Sequence, residues 1–179
     1  MVLATDRVIL RTWRPEDRLP FARMNADPAV MEFFPKRLTA EESDAFADRI
    51  ERGLAERGYG LWAAEHAETG RFMGFIGFNY TDFPSDFTPC IEIGWRLAKE
   101  FWGRGYATEG AAACLDFGFR TFGFHAVYSF TSKSNARSEN VMKKIGLRKV
   151  GEFKHPKLDE SNPLRDHVLY RLGNDEVPR

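Results

Sequence analysis

The chain has 179 residues, which is enough to bury a sizeable core, and we expect a single domain over residues 1–179. Its 26 basic and 26 acidic residues give a formal net charge of zero, which argues against broad electrostatic binding to nucleic acid or to an anionic membrane. Cys90 and Cys114 form neither a disulfide framework nor a metal-spaced pair, and no stretch resembles a signal peptide or a membrane span. We therefore expect a cytoplasmic protein without a metal site.

The first part of the chain predicts one strand followed by two helices. Mixed alternation of apolar and polar residues predicts a strand over residues 7–13. An early proline and acidic residues in the first turn predict a helix from residue 14 to about residue 25, although Pro20 falls inside it and could divide it. Thr39, with Glu42 three residues later, forms a capping box that predicts the start of a helix. We expect this helix to continue to about residue 56 and Gly58 to stop it.

The middle of the chain predicts three successive antiparallel strands. Residues 59–65 and 72–80 flank a short turn and indicate a β-hairpin. Residues 90–97 indicate the third strand, and a glycine-rich turn then leads into a helix over residues 107–122.

The remaining segments complete a mixed sheet. A strand over residues 126–131 follows that helix, so that strand, helix and strand form a right-handed crossover with parallel pairing. Asn135 caps a further helix that ends at Gly146, and the last two strands follow over residues 147–153 and 167–172. These elements predict one α/β sheet with helices on both faces.

The glycine-rich turn carries the first functional signal. Gly103 and Gly105 flank Arg104 and allow the backbone to turn tightly, so that successive N–H groups point toward one position at the start of a helix. Such a helix start favours a phosphate or pyrophosphate, and we interpret the turn as a nucleotide-type cofactor site with Arg104 as an additional cation. A plain glycine turn is the alternative. The turn lacks the lysine of a P-loop, and Thr108 replaces the last small residue of a dinucleotide fingerprint.

Three stretches in this order and spacing resemble one family: residues 5–13, the strand and turn of residues 91–109, and residues 135–147, which match Asn-x-x-Ser-x-x-Val-Met-x-Lys-x-Gly. They resemble the GNAT superfamily of acetyl-CoA-dependent N-acetyltransferases and, more narrowly, its ribosomal-protein-alanine N-acetyltransferase branch. The resemblance covers about residues 6–172 and implies a mixed, mostly antiparallel, splayed sheet of about six to seven strands with helices on both faces. It also implies acetyl transfer from acetyl-CoA to a primary amine in a ternary complex, with a non-catalytic acyl-CoA-binding or sensor module on the same fold as the alternative.

The resemblance also implies where coenzyme A lies. Its pantetheine would follow the backbone of Trp95, Arg96 and Leu97, while Asn135 and Ser138 would reach the pantetheine amide and the thioester sulfur. The pyrophosphate would lie on the N–H groups of the turn and the first helical residues, namely Gly103, Arg104, Gly105, Tyr106, Ala107 and Thr108. A simple N-cap role for Asn135 and an ordinary first-turn position for Ser138 are the alternatives.

Acyl transfer to an amine requires a base for the amine proton and a proton donor for the leaving thiolate. Glu92, two residues before Gly94 on the cofactor strand, is the candidate base, and a glutamate that faces solvent or pairs with an arginine is the alternative. Ser138 is the candidate donor, at a position where many relatives have a tyrosine. Trp102 stands where the superfamily often has Gln or Arg, which leaves the backbone as the expected phosphate ligand. The runner-up bases are His155 and His167.

The acceptor is poorly determined by the sequence. Segments that would flank the amine side of the cleft supply the expected substrate-binding residues Phe33, Phe34, Tyr80 and Phe83, although adjacent phenylalanines are also typical of a core. Acidic side chains of the same segments could attract a cationic amine: Glu32, Asp82 and Asp86. A protein N-terminus, a polyamine, an amino sugar or an antibiotic would all suit these features, in either a monomer or a homodimer.

Overall fold

The computed structural model describes residues 2–176, which form one eight-stranded sheet flanked by four α-helices. The strands are β1 (Leu3–Ala4), β2 (Val8–Arg11), β3 (Leu61–His66), β4 (Phe72–Thr81), β5 (Cys90–Leu97), β6 (Ala126–Ser132), β7 (Arg148–Lys154) and β8 (Asp166–Gly173). The α-helices are α1 (Arg18–Ala26), α2 (Ala40–Arg57), α3 (Tyr106–Thr121) and α4 (Ala136–Lys144). Short 3-10 helices cover Pro15–Asp17, Lys99–Phe101 and Asn174–Glu176.

The strand order is β1-β2-β3-β4-β5-β6-β8-β7, and every neighbouring pair is antiparallel except β5 and β6. The expected mixed, mostly antiparallel sheet is therefore confirmed. It has eight strands rather than six or seven because Leu3–Ala4 adds an edge strand, with Leu3 opposite Leu10 of β2. Two residues are too few to show an alternating pattern, and so the sequence did not predict this strand.

Helices cover both faces of the sheet, as expected. One core cluster joins residues of α3 and α4, such as Leu115 and Met142, to sheet residues that include Ile93. A second cluster joins α1 and α2 to the opposite face, where Phe21 and Phe75 pack together. Because side chains of a strand alternate between the two faces, the central strands supply both clusters. No helix within residues 2–176 combines the length and the apolar character needed to cross a membrane.

The helix starts follow local sequence rules with one difference from expectation. Thr39 accepts from the backbone N–H of Glu42, and its own N–H donates to the Glu42 carboxylate, which confirms the capping box at the start of α2. Pro20 does not divide α1, because it lies in the first turn of that helix, where its N–H would have no helical partner. The 3-10 turn Pro15–Asp17 precedes α1 and was expected as part of the helix.

Helix α3 lies unusually close to the sheet. A Cβ atom added at Gly110 would come within 2.5 Å of Ile76, and one at Gly118 would come within 2.5 Å of the Phe78 ring. The absence of side chains at these two positions allows the close approach. It fixes the N-terminus of α3 directly beside the end of β5.

Candidate active site

The sheet opens between β5 and β6, its parallel pair. β5 and β6 pair at Glu92 and Tyr128, and past this point no further pairing joins these two strands in the described part of the chain. A cleft of about 830 Å³ occupies the opening, and it is lined by the end of β5, by the glycine turn and by the start of α4. One edge of β5 is therefore bonded to β4, while its other edge faces the cleft.

Backbone alternation decides which residues of β5 present polar groups to the cleft. The Ile93 carbonyl accepts from the Ser129 hydroxyl of β6 at 2.9 Å, so the backbone of residue 93 faces the β6 edge. Successive residues face opposite edges, and it follows that Trp95 and Leu97 face the cleft whereas the N–H and C=O of Arg96 face β4. The backbone of Trp95 is therefore the main unused hydrogen-bonding edge.

The glycine turn has the backbone shape that the sequence predicts. Gly103 and Gly105 have φ angles of +71° and +84°, and α3 begins at Tyr106. From Gly103 to Thr108, no backbone N–H group has an acceptor among residues 2–176. A continuous run of unpaired donors at a helix N-terminus is a site for an anion. The Trp102 indole N–H closes the turn by donating to the Leu97 carbonyl at 2.8 Å.

A salt-bridged network holds the turn from outside the cleft. Glu109 accepts from the Thr5 hydroxyl at 2.6 Å and from the Arg7 backbone N–H at 3.0 Å, and it also pairs with the Arg7 guanidinium. Arg7 in turn donates to the Arg104 carbonyl at 3.0 Å and lies over the Tyr106 ring. Although partial burial opposes it, hydrogen bonding from Thr5 and Arg7 lowers the pKa of Glu109, so this carboxylate stays ionised. The network joins β2 to the turn.

Asn135 and Ser138 lie together at the start of α4, and both line the cleft. Asn135 caps the helix, because its Oδ1 accepts from the Ser138 backbone N–H at 3.2 Å. Its Nδ2 donates to the Thr131 hydroxyl at 3.0 Å and to the Ser138 hydroxyl oxygen at 3.2 Å. The Ser138 hydroxyl proton therefore remains available to a group in the cleft.

Glu92 lies in the floor of the cleft, where its side chain is partly exposed to the opening but surrounded by protein on its other sides. Its Oε2 accepts from the Thr81 hydroxyl at 2.8 Å and from Asn79 Nδ2 at 3.4 Å. Desolvation raises the pKa of Glu92 above its ordinary value of 4.5, and the bonds from Thr81 and Asn79 offset only part of this effect. Among residues 2–176 it forms no salt bridge, so the arginine-paired alternative does not describe it. A carboxylate with a raised pKa at the bottom of a cleft suits a general base.

The two histidines that the sequence offered as runner-up bases also line the cleft, with ring centroids 5.0 Å apart. Desolvation lowers the pKa of His155 to about 4, with contributions from His167 and Lys157. Desolvation also lowers the pKa of His167, whose Nδ1 lies 3.0 Å from the Arg165 carbonyl oxygen. Both rings are therefore neutral at physiological pH, and they pack with aromatic side chains of β6 and β7.

Of the four aromatic residues expected on the acceptor side, two line the cleft and two lie outside it. Phe33 and Phe34, in the loop between α1 and α2, line the cleft. Tyr80 lies outside it with 42% of its surface exposed. Phe83, in the β4–β5 loop, also lies outside it, because its ring is buried against Phe87 and other aromatic rings. The sequence could not distinguish these cases, since side-chain direction in a loop follows no period.

The expected acidic surroundings of the acceptor do not line the cleft. Glu32 forms an exposed salt bridge with Arg137, and Asp82 and Asp86 are exposed on the β4–β5 loop. Glu92 is the only acidic side chain in the cleft lining within residues 2–176.

Sequence reasoning missed the side chain of Arg96. It leaves β5 on the same face as Glu92 and Gly94, and its Nη1 donates to Asn25 Oδ1 at 2.7 Å. Asn25 is completely buried in α1 and donates to the Ser43 hydroxyl at 2.9 Å. Residue spacing of four along a strand could have placed Arg96 on the face of Glu92, but its contact with Asn25, 71 residues away, could not be read from the chain.

The family model described as the acetyltransferase (GNAT) domain matches residues 7–148. The chain belongs to the GNAT acetyltransferase family. The GNAT match includes β5, the glycine turn and the start of α4, which are the elements that build the cleft.

Individual relatives are similar to this chain over most of its length. The uncharacterized protein YkkB of Bacillus subtilis (strain 168) is 34% identical over 148 residues, which is 81% of this chain and 84% of YkkB. A GNAT-family acetyltransferase from Bacillus anthracis has the same fold, with a TM-score of 0.81, 24% identity, and coverage of 97% of this chain and 99% of that one. Mycobacterium smegmatis RimJ, solved in complex with CoA-disulfide, has a TM-score of 0.77 at 24% identity and covers 96% of this chain and 84% of its own.

Proposed function

We propose that this GNAT protein is a cytoplasmic, single-domain enzyme, with a core of about residues 6–172, that transfers an acetyl group from acetyl-CoA to a primary amine within a ternary complex. Family membership supports acetyl transfer to an amine in general. The observation that carries the proposal for this chain is the run of unpaired N–H groups from Gly103 to Thr108, placed in the same cleft as the desolvated carboxylate of Glu92. The first suits a diphosphate and the second suits an amine proton.

The cleft fits coenzyme A in both charge and hydrogen bonding. We assign the diphosphate to the N–H groups of residues 103–108, and the pantetheine to the free backbone edge of Trp95. The cleft wall on α4 adds Asn135 and Ser138 as polar partners and the cations Arg137 and Lys144. In support, the similar fold of Mycobacterium smegmatis RimJ was solved with CoA-disulfide. The backbone of Arg96 faces β4, so its carbonyl and N–H do not make the contacts with pantetheine that the sequence suggested.

Acetyl-CoA, when bound, supplies an acyl group activated as a thioester. Glu92 accepts a proton from the acceptor amine, directly or through a water molecule, because its raised pKa keeps it basic enough near neutral pH. The Trp95 N–H, which β4 does not use, donates to the acyl oxygen as negative charge develops there. The amine nitrogen forms a bond to the acyl carbon as the carbon–sulfur bond breaks, and the Ser138 hydroxyl donates a hydrogen bond to the sulfur, which leaves as the thiolate of coenzyme A. Holding both reactants in one cleft lowers the barrier further by several kcal/mol.

Two classes of acceptor amine are compatible with the cleft. A small-molecule amine and a protein N-terminus, as in the ribosomal-protein-alanine branch, both suit a cleft that is open to the surface between the α1–α2 loop and the β7–β8 segment. Phe33 and Phe34 provide its apolar wall.

Two measurements test the proposed function. Isothermal titration is expected to detect acetyl-CoA binding in the micromolar range, and a thiol-release assay over a panel of primary amines is expected to detect turnover. Absence of binding at millimolar acetyl-CoA would rule out the proposal. Binding without turnover of any amine, unchanged by Glu92→Gln, would instead favour a non-catalytic acyl-CoA-binding module.

A further inference from the structure

The charges in the cleft are unevenly distributed. Its lining contains one acidic side chain, Glu92, and four basic ones: Arg96, Arg137, Lys144 and Lys157. Arg137 and Lys144 belong to α4, beside the proposed coenzyme A site. Arg96 lies against Phe34, in the wall proposed for the acceptor, and Lys157 is close enough to Glu92 to act on its charge. A polycationic acceptor would be repelled by these two cations.

Arg96 is a partly buried cation that lacks a counter-ion. No carboxylate of residues 2–176 forms a salt bridge with it, and its partner is the neutral amide of Asn25 at 2.7 Å. Its Nε is buried and has no hydrogen-bond partner. Three aromatic rings surround the guanidinium, with the Phe34 centroid at 4.0 Å and the Phe75 centroid at 5.3 Å.

Without a bound anion, this arrangement destabilises the folded protein. Burial without an anion destabilises the charged form, and desolvation lowers the pKa of Arg96 to about 10, which still leaves it charged at neutral pH. Buried arginines are usually paired with a carboxylate, whose oxygens match the planar guanidinium. An anion supplied from the cleft would provide the missing partner.

We propose that Arg96 binds a carboxylate of the acceptor while the acceptor amine faces Glu92, so that the substrate is a small zwitterion of dipeptide size. This inference rests on the proposed function. Glu92 and Arg96 project from the same face of β5, four positions apart in the sequence, so their Cα atoms are separated by roughly 13 Å at about 3.3 Å per residue. Taking this Cα spacing as the span between the two charged groups, a hydrogen bond of about 3 Å at each end leaves roughly 7 Å, which is the length of two extended residues. Phe34, which is 37% exposed, covers the guanidinium at the surface of the cleft.

The first test compares matched acceptors in the thiol-release assay. A panel of alanine-containing dipeptides is paired with the corresponding C-terminal amides, and spermidine is added as a polycation. We expect kcat/KM to be about 10- to 100-fold higher for the acids than for the amides, chiefly through KM, as for a hydrogen-bonded ion pair. A preference for the amides or for spermidine would overturn the inference while leaving the proposed function intact.

Two variants assign the preference to Arg96. Arg96→Met keeps the apolar stem, and we expect it to abolish the preference for acids, with kcat/KM falling at least about tenfold further for the acids than for the amides. Asn25→Asp places a carboxylate against an unchanged Arg96, and we expect it to weaken the same preference by competition. Melting temperatures and coenzyme A affinities of both variants identify any general loss of structure. Equal losses on acids and amides in a folded Arg96→Met protein would overturn the inference.

A binding measurement decides the case if no dipeptide is turned over. Glutarate is titrated into the wild-type protein in the presence of coenzyme A, with sodium chloride at equal ionic strength as the control. We expect glutarate to raise the melting temperature of the wild type and not that of Arg96→Met. Identical shifts in the two proteins, or no shift in either, would overturn the inference, whereas failure of coenzyme A itself to bind would refute the proposed function first.

Discussion

The Thr81 hydroxyl donates to the Glu92 carboxylate at 2.8 Å, from the end of β4 to the centre of β5. This bond stabilises the ionised form of a carboxyl group whose surroundings favour the neutral form. Asn79, directly opposite Glu92 in the β4–β5 register, adds a longer bond at 3.4 Å. Two opposing effects therefore set the pKa of Glu92: desolvation in the cleft raises it, and the hydrogen bonds from β4 lower it. Substitution of these groups tests the balance.

Replacing Glu92 with glutamine is expected to lower kcat/KM by about 10²- to 10⁴-fold, because the amide cannot take the amine proton. Acetyl-CoA affinity is expected to stay within about twofold. The melting temperature at pH 8 is expected to be equal or higher, since a raised pKa means that the ionised carboxylate disfavours the folded state above that pKa. Glu100→Gln, at an exposed carboxylate paired with Arg71, is the matched control and should retain full activity. A fully active Glu92→Gln enzyme would exclude Glu92 as the base.

The pH dependence of kcat/KM offers an independent prediction. Activity is expected to fall as the pH drops through the pKa of Glu92, at a pH above the ordinary glutamate value of 4.5, because only the ionised form accepts a proton. Thr81→Val removes a donor to the ionised form, so it should raise this pKa and move the acidic limb to higher pH. An acidic limb at the same pH in wild type and Thr81→Val would mean that another group titrates.

Gly103→Ala and Gly105→Ala are expected to weaken coenzyme A binding by about tenfold or more, because alanine is strained at φ angles of +71° and +84° and the N–H groups would turn away from the diphosphate. Isothermal titration measures the effect. Gly123→Ala is the control, since Gly123 has a φ of +64° at the far end of α3 and an added Cβ would contact nothing within 4 Å. We expect the melting temperature to fall by a similar amount in all three variants. Coenzyme A binding should weaken only in Gly103→Ala and Gly105→Ala. Equal affinities would remove the turn from the binding site.

Arg7→Leu tests whether the network behind the turn positions it. We expect coenzyme A affinity to fall about two- to tenfold, because the turn would have to be ordered on binding. The free energy of unfolding should change by no more than about 1 kcal/mol, since the Arg7 side chain is about half exposed. Arg120→Leu removes an exposed salt bridge to Asp116 on the same helix and should leave the affinity unchanged. Equal affinities in the two variants would show that the network has no positioning role.

Much of the fold follows from local rules that the sequence displays. The capping box at Thr39, the left-handed Gly58 after α2 and the glycines around Arg104 specify local backbone geometry through residues that are neighbours in the chain. Alternation along β4 and β5 defines the hairpin and its faces. The family resemblance rests on these same segments, and the match over residues 7–148 agrees with it.

Which side chains line the cleft, and which partners they bond to, depends on contacts between segments that are distant in the chain. The sequence alone placed Glu92 on a strand and the unpaired N–H groups at a helix start, because both positions follow from short-range periodicity and turn chemistry. Only the tertiary structure decided that Thr81 bonds to Glu92, that Phe83 is buried away from the cleft, and that Arg96 meets the amide of Asn25 instead of a carboxylate. Such pairings depend on how helices and loops pack across the sheet, and the resulting desolvation sets the charge and the pKa of each group.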